Sequence, residues 1–376
     1  MLQAPKWRQA MTTLRGPLEG IRIVEFDAIG PLPLAGMLLA DMGADVIRVI
    51  RPKTGQEPWG DVGGSILHRS RAFVELDLKA AHDKEQALAL VARADALIEG
   101  FRPGVMERLG FGPHTCLTAN PRLVYGRITG WGQAGPLATR AGHDINYIGL
   151  TGALHATGRT GIPPPVPLNL VGDYGGGSMF LIAGVLAALL SAKTSGKGRV
   201  VDAAIIDGVA STCSLFHALR ASGQWSDHRE NNLLDGAAPF YRCYACADGK
   251  FVAVGALEPQ FYRQFLAGMD VTPDDYPQYD REKWPQMAQK FSEIFARKPR
   301  DQWTAIFADT DACVTPVLTW AEAPNHPHHQ ARSAYVTRDG LCQPACAPRF
   351  SGTPTTITEP TGSTPADVLA RWMAGR

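Results

Sequence analysis

The stretch GIRIVEFDAIGPLPLAGMLLADMGADVIRVIR, Gly20 to Arg51, decides the fold class of this 376-residue chain. Ile21 to Phe26 reads as a buried strand, Gly30-Pro31-Leu32-Pro33 as a turn, and the residues after it as a short helix with Leu34, Met37, Leu38 and Met42 on adjoining faces. Gly43 is placed to end that helix, and Ala44 to Ile50 forms a second strand, so the chain opens with a strand–helix–strand unit of the doubly wound type. Val74, Leu76 and Leu78 then alternate with Glu75 and Asp77, a helix covers His82 to Arg93, and Ala96 to Ile98 is another strand. The expectation is an α/β, Rossmann-like large domain.

The Gly30 turn is not a GxGxxG fingerprint, and Arg51 closes the second strand where a dinucleotide enzyme places a carboxylate for the ribose, so NAD is disfavoured. Arg48, Arg51, Arg69, Arg71, Lys79, Arg102 and Arg108 all fall near strand ends or turns of this sheet. Such ends bind ligands in α/β folds, and arginine suits phosphate, so a phosphorylated group is expected there, touched by three or four of the seven.

Beyond Gly198, a strand and long helix span Val200 to Leu219, and Ser222 to Asn232 is a polar linker. Ala238–Cys246 and Phe251–Val254 flank Asp248-Gly249, a strong hairpin signal, and helices follow around Gln260–Ala267, Trp284–Ala296 and Asp301–Ala308. The expected organisation is a large domain over 14–205, a linker over 206–235, a smaller α+β domain over 236–325, and a segment 326–376 that returns to complete the large domain from about 335. Residues 1–14 read as a loose basic tail without an apolar signal core.

With 37 Lys plus Arg against 36 Asp plus Glu there is no global field to draw nucleic acid or an acidic membrane, and the longest apolar helix, Met179 to Leu190, is short of a bilayer span. Seven cysteines read as free thiols, consistent with a cytoplasmic location. Cys243-x-x-Cys246 lies in a strand, where residues three apart face opposite ways, and His326, His328 and His329 lie in a proline-marked loop, so no metal is expected.

Two residues suggest chemistry. His143 stands in Gly142-His143-Asp144-Ile145-Asn146-Tyr147, and Asp173 in Val171-Gly172-Asp173-Tyr174-Gly175-Gly176-Gly177. An imidazole and a carboxylate at element edges would serve two-sided proton transfer at one carbon. By themselves they would equally serve as a loop residue and as the cap of a helix Ser178–Leu190.

Blocks in order along the chain resemble the family III CoA-transferase superfamily, and within it the α-methylacyl-CoA racemases: Gly20–Glu25, Leu39–Arg48, Phe101-Arg102-Pro103-Gly104-Val105, Gly142–Tyr147, Pro167–Gly177, Gly196-Lys197-Gly198, Asp235–Tyr241 and Gly255–Gln260. The resemblance implies an interlaced homodimer and an acyl-CoA substrate, with no cofactor beyond its CoA moiety. It implies that His143 and Asp173 are bases on opposite sides of the α-carbon, that Glu258 orients His143, and that a backbone N–H near Asp144 meets the enolate oxygen. Without the resemblance Glu258, before Pro259, reads as a helix cap. Ile29, Arg51, Leu76, Leu78, Lys79, Arg102, Arg108 and Tyr147 align with the CoA-contacting set.

Three departures from that pattern stand out: Ser70-Arg71 in place of Asn-Arg, a longer loop over Lys53–Ser65, and Ala237 where a glycine is common, which would narrow the acyl pocket. The alternative activity is a CoA-transferase in which Asp173 attacks the acyl-CoA to form an anhydride. His143 favours the racemase, because transferases generally lack a histidine there. The acyl chain is left open by the sequence.

Overall fold

Ile23, Val24 and Phe26 are buried in β1 (Arg22–Phe26) because that strand lies inside a parallel sheet with neighbours on both sides. The computed structural model describes residues 16–52, 63–353 and 356–374. The tail 1–14 and most of the loop anticipated over Lys53–Ser65 lie outside the described residues. By its internal contacts the chain divides into two units, one taking the chain through Thr151, Pro167–Thr212 and Tyr335 onward, the other Gly152–Val166 and Cys213–Ala334.

In the first unit, β1 leads through α1 (Pro31–Asp41) to β2 (Asp45–Ile50), then α2 (Gly64–His68), β3 (Ala72–Glu75), α3 (Ala81–Val91) and β4 (Ala96–Glu99). The chain continues as α4 (Val105–Leu109), α5 (Pro113–Ala119), β5 (Val124–Thr129) and α6 (Asp144–Leu150). A π-helical turn (Leu170–Ser178), α7 (Met179–Ser195), β6 (Arg199–Ala204) and α8 (Ile205–Thr212) follow. The strands lie in the order β3-β2-β1-β4-β5-β6, all parallel. Strands before and after β1 in this order run to opposite sides, so the topological switch point is the gap between the carboxyl ends of β1 and β4.

α1 starts at Gly30, whose φ of 82° only glycine adopts readily, with Pro31 at its first position. Its buried face is Leu32, Ala35, Gly36, Leu39 and Ala40, with Met37, whereas Leu34 and Leu38 are half-exposed. Of the four larger residues on adjoining faces, Met37 and Met42 are thus buried and Leu34 and Leu38 are not. Small residues lie inward because a Cβ on Gly36 would collide with the buried Glu25 carboxylate and the Arg71 guanidinium.

That pair is the electrostatic centre of the sheet. Glu25 and Arg71 have no exposed side-chain surface and meet at 2.5 Å, with Arg48 3.8 Å from the same carboxylate and 2.6 Å from Asp27. Burial pushes the Glu25 carboxyl up and the two guanidinium groups oppose it.

α7 runs unbroken from the π-turn, so the apolar helical stretch Leu170–Ser195 is 26 residues long, with a mean hydropathy of 1.8 over its most apolar 18-residue window, not the short segment read from sequence. By length and composition it could cross a bilayer. Half of that window is buried, with Leu181, Val185, Ala188 and Leu189 turned inward, as in the core helix of a globular unit.

The second unit holds α9 (Ser214–Ala221), the hairpin β7 (Tyr241–Ala245) and β8 (Phe251–Gly255), α10 (Pro259–Gly268), α11 (Trp284–Phe295), α12 (Arg300–Phe307), β9 (Val314–Val317) and α13 (Pro327–Arg332). The turn at Asp248-Gly249 joins an antiparallel pair as expected, and β9 adds to β8. Tyr244, Phe265, Phe291, Phe295, Trp303 and Phe307 pack ring against ring at the core. Ala237 sets its methyl against this core.

This unit also takes Gly152–Val166, which the sequence reading left in the large domain. The ties are polar: Thr160 donates from N–H and hydroxyl to the Glu230 carboxylate (3.0 Å) and the Arg229 carbonyl (2.8 Å), and the His155 ring meets the Asp227 carbonyl at 2.9 Å. Such bonds leave no hydrophobic period to read. Residues 206–212, expected as linker, are α8 of the first unit.

The return segment opens with an antiparallel pair, β10 (Tyr335–Arg338) and β11 (Leu341–Pro344). It then adds β12 (Thr361–Gly362) parallel to β3 at the sheet edge and ends in α14 (Pro365–Ala374). Val368 and Trp372 are buried in the core of the first unit, and Arg371 and Trp372 both donate to Asp45. Ser70, at a left-handed φ of 59°, donates its N–H to the Thr358 carbonyl. Arg71→Ala would leave Glu25 buried against only the more distant Arg48, and is expected to cost about 3–5 kcal/mol of unfolding free energy in urea titrations.

Candidate active site

The loops that follow β1, β2, β3, β4 and β5 all leave the carboxyl edge of the parallel sheet. Ile29 and Gly30 follow β1, Arg51 follows β2, Leu76, Leu78 and Lys79 follow β3, and Arg102 follows β4. Ile29 is 74% exposed, and Arg51, Lys79, Arg102 and Arg108 are exposed, so these side chains are available to a ligand; Leu76 is buried and offers only backbone. Three of the seven basic residues singled out from sequence are not available. Arg48 and Arg71 are held by Asp27 and Glu25, and Arg69 by Asp41, at 2.6 Å, and by the Pro344 carbonyl. Spacing shows an arginine near a strand end, whereas only packing shows that it points inward.

Past β5, Gly130 and Gly142 bring backbone so close to Tyr147 that a Cβ on either would overlap its ring. Trp131 packs edge-on to the same ring at 4.8 Å, and the Tyr147 hydroxyl donates to the Gly142 carbonyl. Tyr147, expected among the CoA contacts, thus also holds the turn that presents His143. Burial, with the charges of Asp173 and Asp144, pushes its phenol up to about 12, while Arg102 acts in the opposite sense, so Arg102 lies in electrostatic reach of this cluster.

His143 is the N-cap of α6, in extended backbone (φ −132°), with its N–H donating to Asn146 Oδ1 at 3.0 Å. Its ring is left exposed. Asp144 follows as the first helical residue, where backbone N–H groups have no carbonyl one turn back and are free for an anion.

Asp173 lies inside the π-turn rather than capping a helix that begins at Ser178. Its carboxylate faces Gly30, 3.6 Å from where a Cβ on that glycine would stand, so it reaches the switch point. The turn is wedged in place: a Cβ on Gly176 would overlap Val209, one on Gly208 would overlap the Gly176 carbonyl, and the Ser178 hydroxyl donates to the Pro31 carbonyl at 2.6 Å. Burial, and then the charge of Asp144, raise the Asp173 carboxyl to about 6; a hydrogen bond from the Asn169 side chain and the charge of His143 pull the other way. Asn169 is a site residue that sequence reasoning did not single out, since its relation to Asp173 depends on the π-turn.

Glu258 lies in the second unit, at the N-cap of α10, with Pro259 at the first helical position. Its carboxylate makes no capping bond and is exposed, contrary to the simple cap that local sequence suggests. Cys243 is exposed and Cys246 buried, on opposite sides of their strand.

An α/β unit of this strand order, with a carboxyl of raised proton affinity at its switch point, a histidine in electrostatic reach of it and exposed cations at the sheet edge, is suited to acid/base chemistry on a phosphorylated ligand. A family model, CoA-transferase family III, matches residues 18–364, and the chain belongs to that family. It is 44% identical over 340 residues to the α-methylacyl-CoA racemase of Mus musculus, covering 90% of this chain and 87% of that protein. It is 42% identical over 339 residues to that of Homo sapiens, with the same coverage. Among solved structures, a CAIB/BAIF family protein from Brucella suis superposes with a TM-score of 0.81 at 23% identity, over 95% of this chain and 100% of the other, which shows the shared fold.

The folded-state value of Asp173 lies above the unfolded carboxyl value of about 3.9. Its contribution to stability is therefore complete below about pH 4 and lost as pH rises through about 6. Asp173→Asn should gain stability relative to wild type over that interval, measured by urea titration at successive pH values; a difference independent of pH would contradict the burial argument.

Proposed function

We propose that this protein is an isomerase that interconverts (2R)- and (2S)-2-methylacyl-CoA thioesters by deprotonation and reprotonation at the α-carbon. The observation that carries this reading is the pairing of His143 with an Asp173 of raised proton affinity at the switch point, in a chain more than 40% identical to named α-methylacyl-CoA racemases.

The thioester acidifies its α-C–H because the carbanion charge spreads to the carbonyl oxygen. In one direction neutral His143 removes the proton from one face and the Asp173 carboxyl delivers its own to the other; in reverse, the Asp173 carboxylate accepts and the imidazolium donates. The pair shares one proton, and an aspartate near 6 is suited to hold or release it near neutrality. The N–H groups at the start of α6 are the donors for the enolate oxygen, a charge that exists only during reaction and whose stabilisation is usually the largest catalytic effect. Arg51, Lys79, Arg102 and Arg108 hold CoA phosphates, with Ile29 and the backbone at Leu76 and Leu78 beside the nucleotide. The CoA moiety is the only cofactor group, without metal or NAD.

The assembly is a homodimer of the interlaced kind, acting in lipid metabolism in the cytoplasm. Supporting the dimer, the first unit exposes the apolar side chains of Leu150, Leu168, Leu170, Met179 and Phe180, and exposed apolar surface marks sites of association. Light scattering after gel filtration should return twice the chain mass.

In deuterated water, proton NMR of one epimer should show loss of the α-proton together with conversion to both epimers. His143→Ala and Asp173→Ala should each abolish conversion while CoA binding persists. Acyl transfer to an added carboxylic acid, without α-proton exchange, would make Asp173 a nucleophile and the enzyme a CoA-transferase.

A further inference from the structure

The π-turn leaves backbone donors that no carbonyl of its own can satisfy. Its hydrogen bonds run five residues back, so the first is Tyr174 N–H to the Asn169 carbonyl, at 3.2 Å. In an α-helix that carbonyl would take the Asp173 N–H instead. Asp173 and Gly172 are left to find acceptors outside. Asp144 Oδ2 accepts the Asp173 N–H at 2.6 Å, and the Gly172 N–H meets the same carboxylate. A Cβ on Gly172 would overlap that carboxylate, so glycine there is the condition for the approach.

Asp144 is an expensive choice for such a cap. It is 7% exposed, and its second oxygen, Oδ1, is buried without a hydrogen-bond partner among the described residues. No cation is bonded to it among the described residues, and burial raises its own carboxyl despite the two N–H bonds. A buried anion without a counter-charge costs stability that a neutral side chain would not. Its place explains the choice: its backbone follows His143 directly, while its side chain grips the backbone of Asp173.

We propose that the Asp144 carboxylate is a positioning residue that locks the π-turn carrying Asp173 to the helix start carrying His143, so that acid and base keep a fixed separation across the substrate carbon. This rests on the two-base reading and adds to it, since that reading uses only the backbone at Asp144. The clamp has an electrostatic consequence, because its negative charge beside Asp173 favours the proton-bearing form of that residue. The charged and titratable groups that face Asp173 are Asp144 and His143, with Tyr147 and, through it, Arg102. Of the other helices packed on the turn, α1 carries only Asp41, paired with Arg69, α8 carries only Asp207, which is exposed, and α7 carries Lys193 in its last turn.

The test compares Asp144→Ala with Asp144→Asn in the full-length protein, following α-proton exchange and epimer conversion of a 2-methylacyl-CoA across pH, with CoA binding and circular dichroism on each variant. Alanine removes clamp and charge, and kcat should fall on the order of 100-fold with KM little changed, the scale of a misplaced catalytic group. Asparagine keeps an accepting oxygen but no charge. It should recover about tenfold or more of that loss, and its acid limb should move to lower pH, because a negative neighbour has gone and Asp173 binds its proton less tightly. A merely structural residue would not move that limb.

Wild-type kcat in Asp144→Ala, asparagine no better than alanine, or an asparagine variant with an unmoved acid limb would each overturn the proposal. If the alanine variant does not fold, the acid limb of the asparagine variant decides alone. Absence of exchange in the wild type would instead overturn the two-base reading on which the clamp depends.

Discussion

The close approach of the π-turn to its neighbours is the constraint on which the rest of the site depends. Backbone meets backbone where Gly176 faces Gly208, and no side chain larger than hydrogen fits at either position. That contact seats the turn on α8, and Ser178 ties it to the start of α1. Only with the turn so held does Asp173 come beside Gly30 at the end of β1. The entropic cost of glycine is accepted there because the alternative, a turn held off by methyl groups, would carry the carboxylate away from the switch point.

The electrostatics are layered around that contact. Beneath α1, Glu25 and Arg71 form a fully buried pair joined by Arg48 and Asp27, and further along the sheet Arg127 joins Glu99 to Glu107. Glu99 also accepts the Phe101 N–H at 2.7 Å, next to the exposed Arg102. Buried pairs of this kind add little net stability over apolar packing, but removing one partner is costly. They therefore act as geometric pins for the loops after β1 and β4, the two loops that border the switch point. The exposed cations left at the sheet edge serve the ligand, while the buried ones hold the frame.

How much of this was legible beforehand differs from element to element. The opening strand–helix–strand unit, the Asp248-Gly249 hairpin, the helices of the second unit and the return of the last segment all follow from periodicity and turn residues. His143 and Asp173 stood out as an imidazole and a carboxylate beside glycines, and family likeness gave them roles. The inward face of α1 could not be read from side-chain size, because small residues are needed over Glu25 and Arg71. The polar tether of Gly152–Val166 to Arg229 and Glu230 left no pattern to find.

Composition, hydrophobic period and glycine and proline placement determined by themselves the fold class and the order of the main elements, and marked His143 and Asp173 as candidates whose roles came from family likeness. These are local properties, carried by each residue's own preference and that of its near neighbours. Tertiary structure alone decided which arginines were buried struts and which were free, that Asp173 sits in a π-turn rather than at a helix cap, and that Asn169 and Asp144 meet it. Those facts depend on distances between residues far apart in the chain, and on the burial that raises a carboxyl to about 6, neither of which any local pattern encodes.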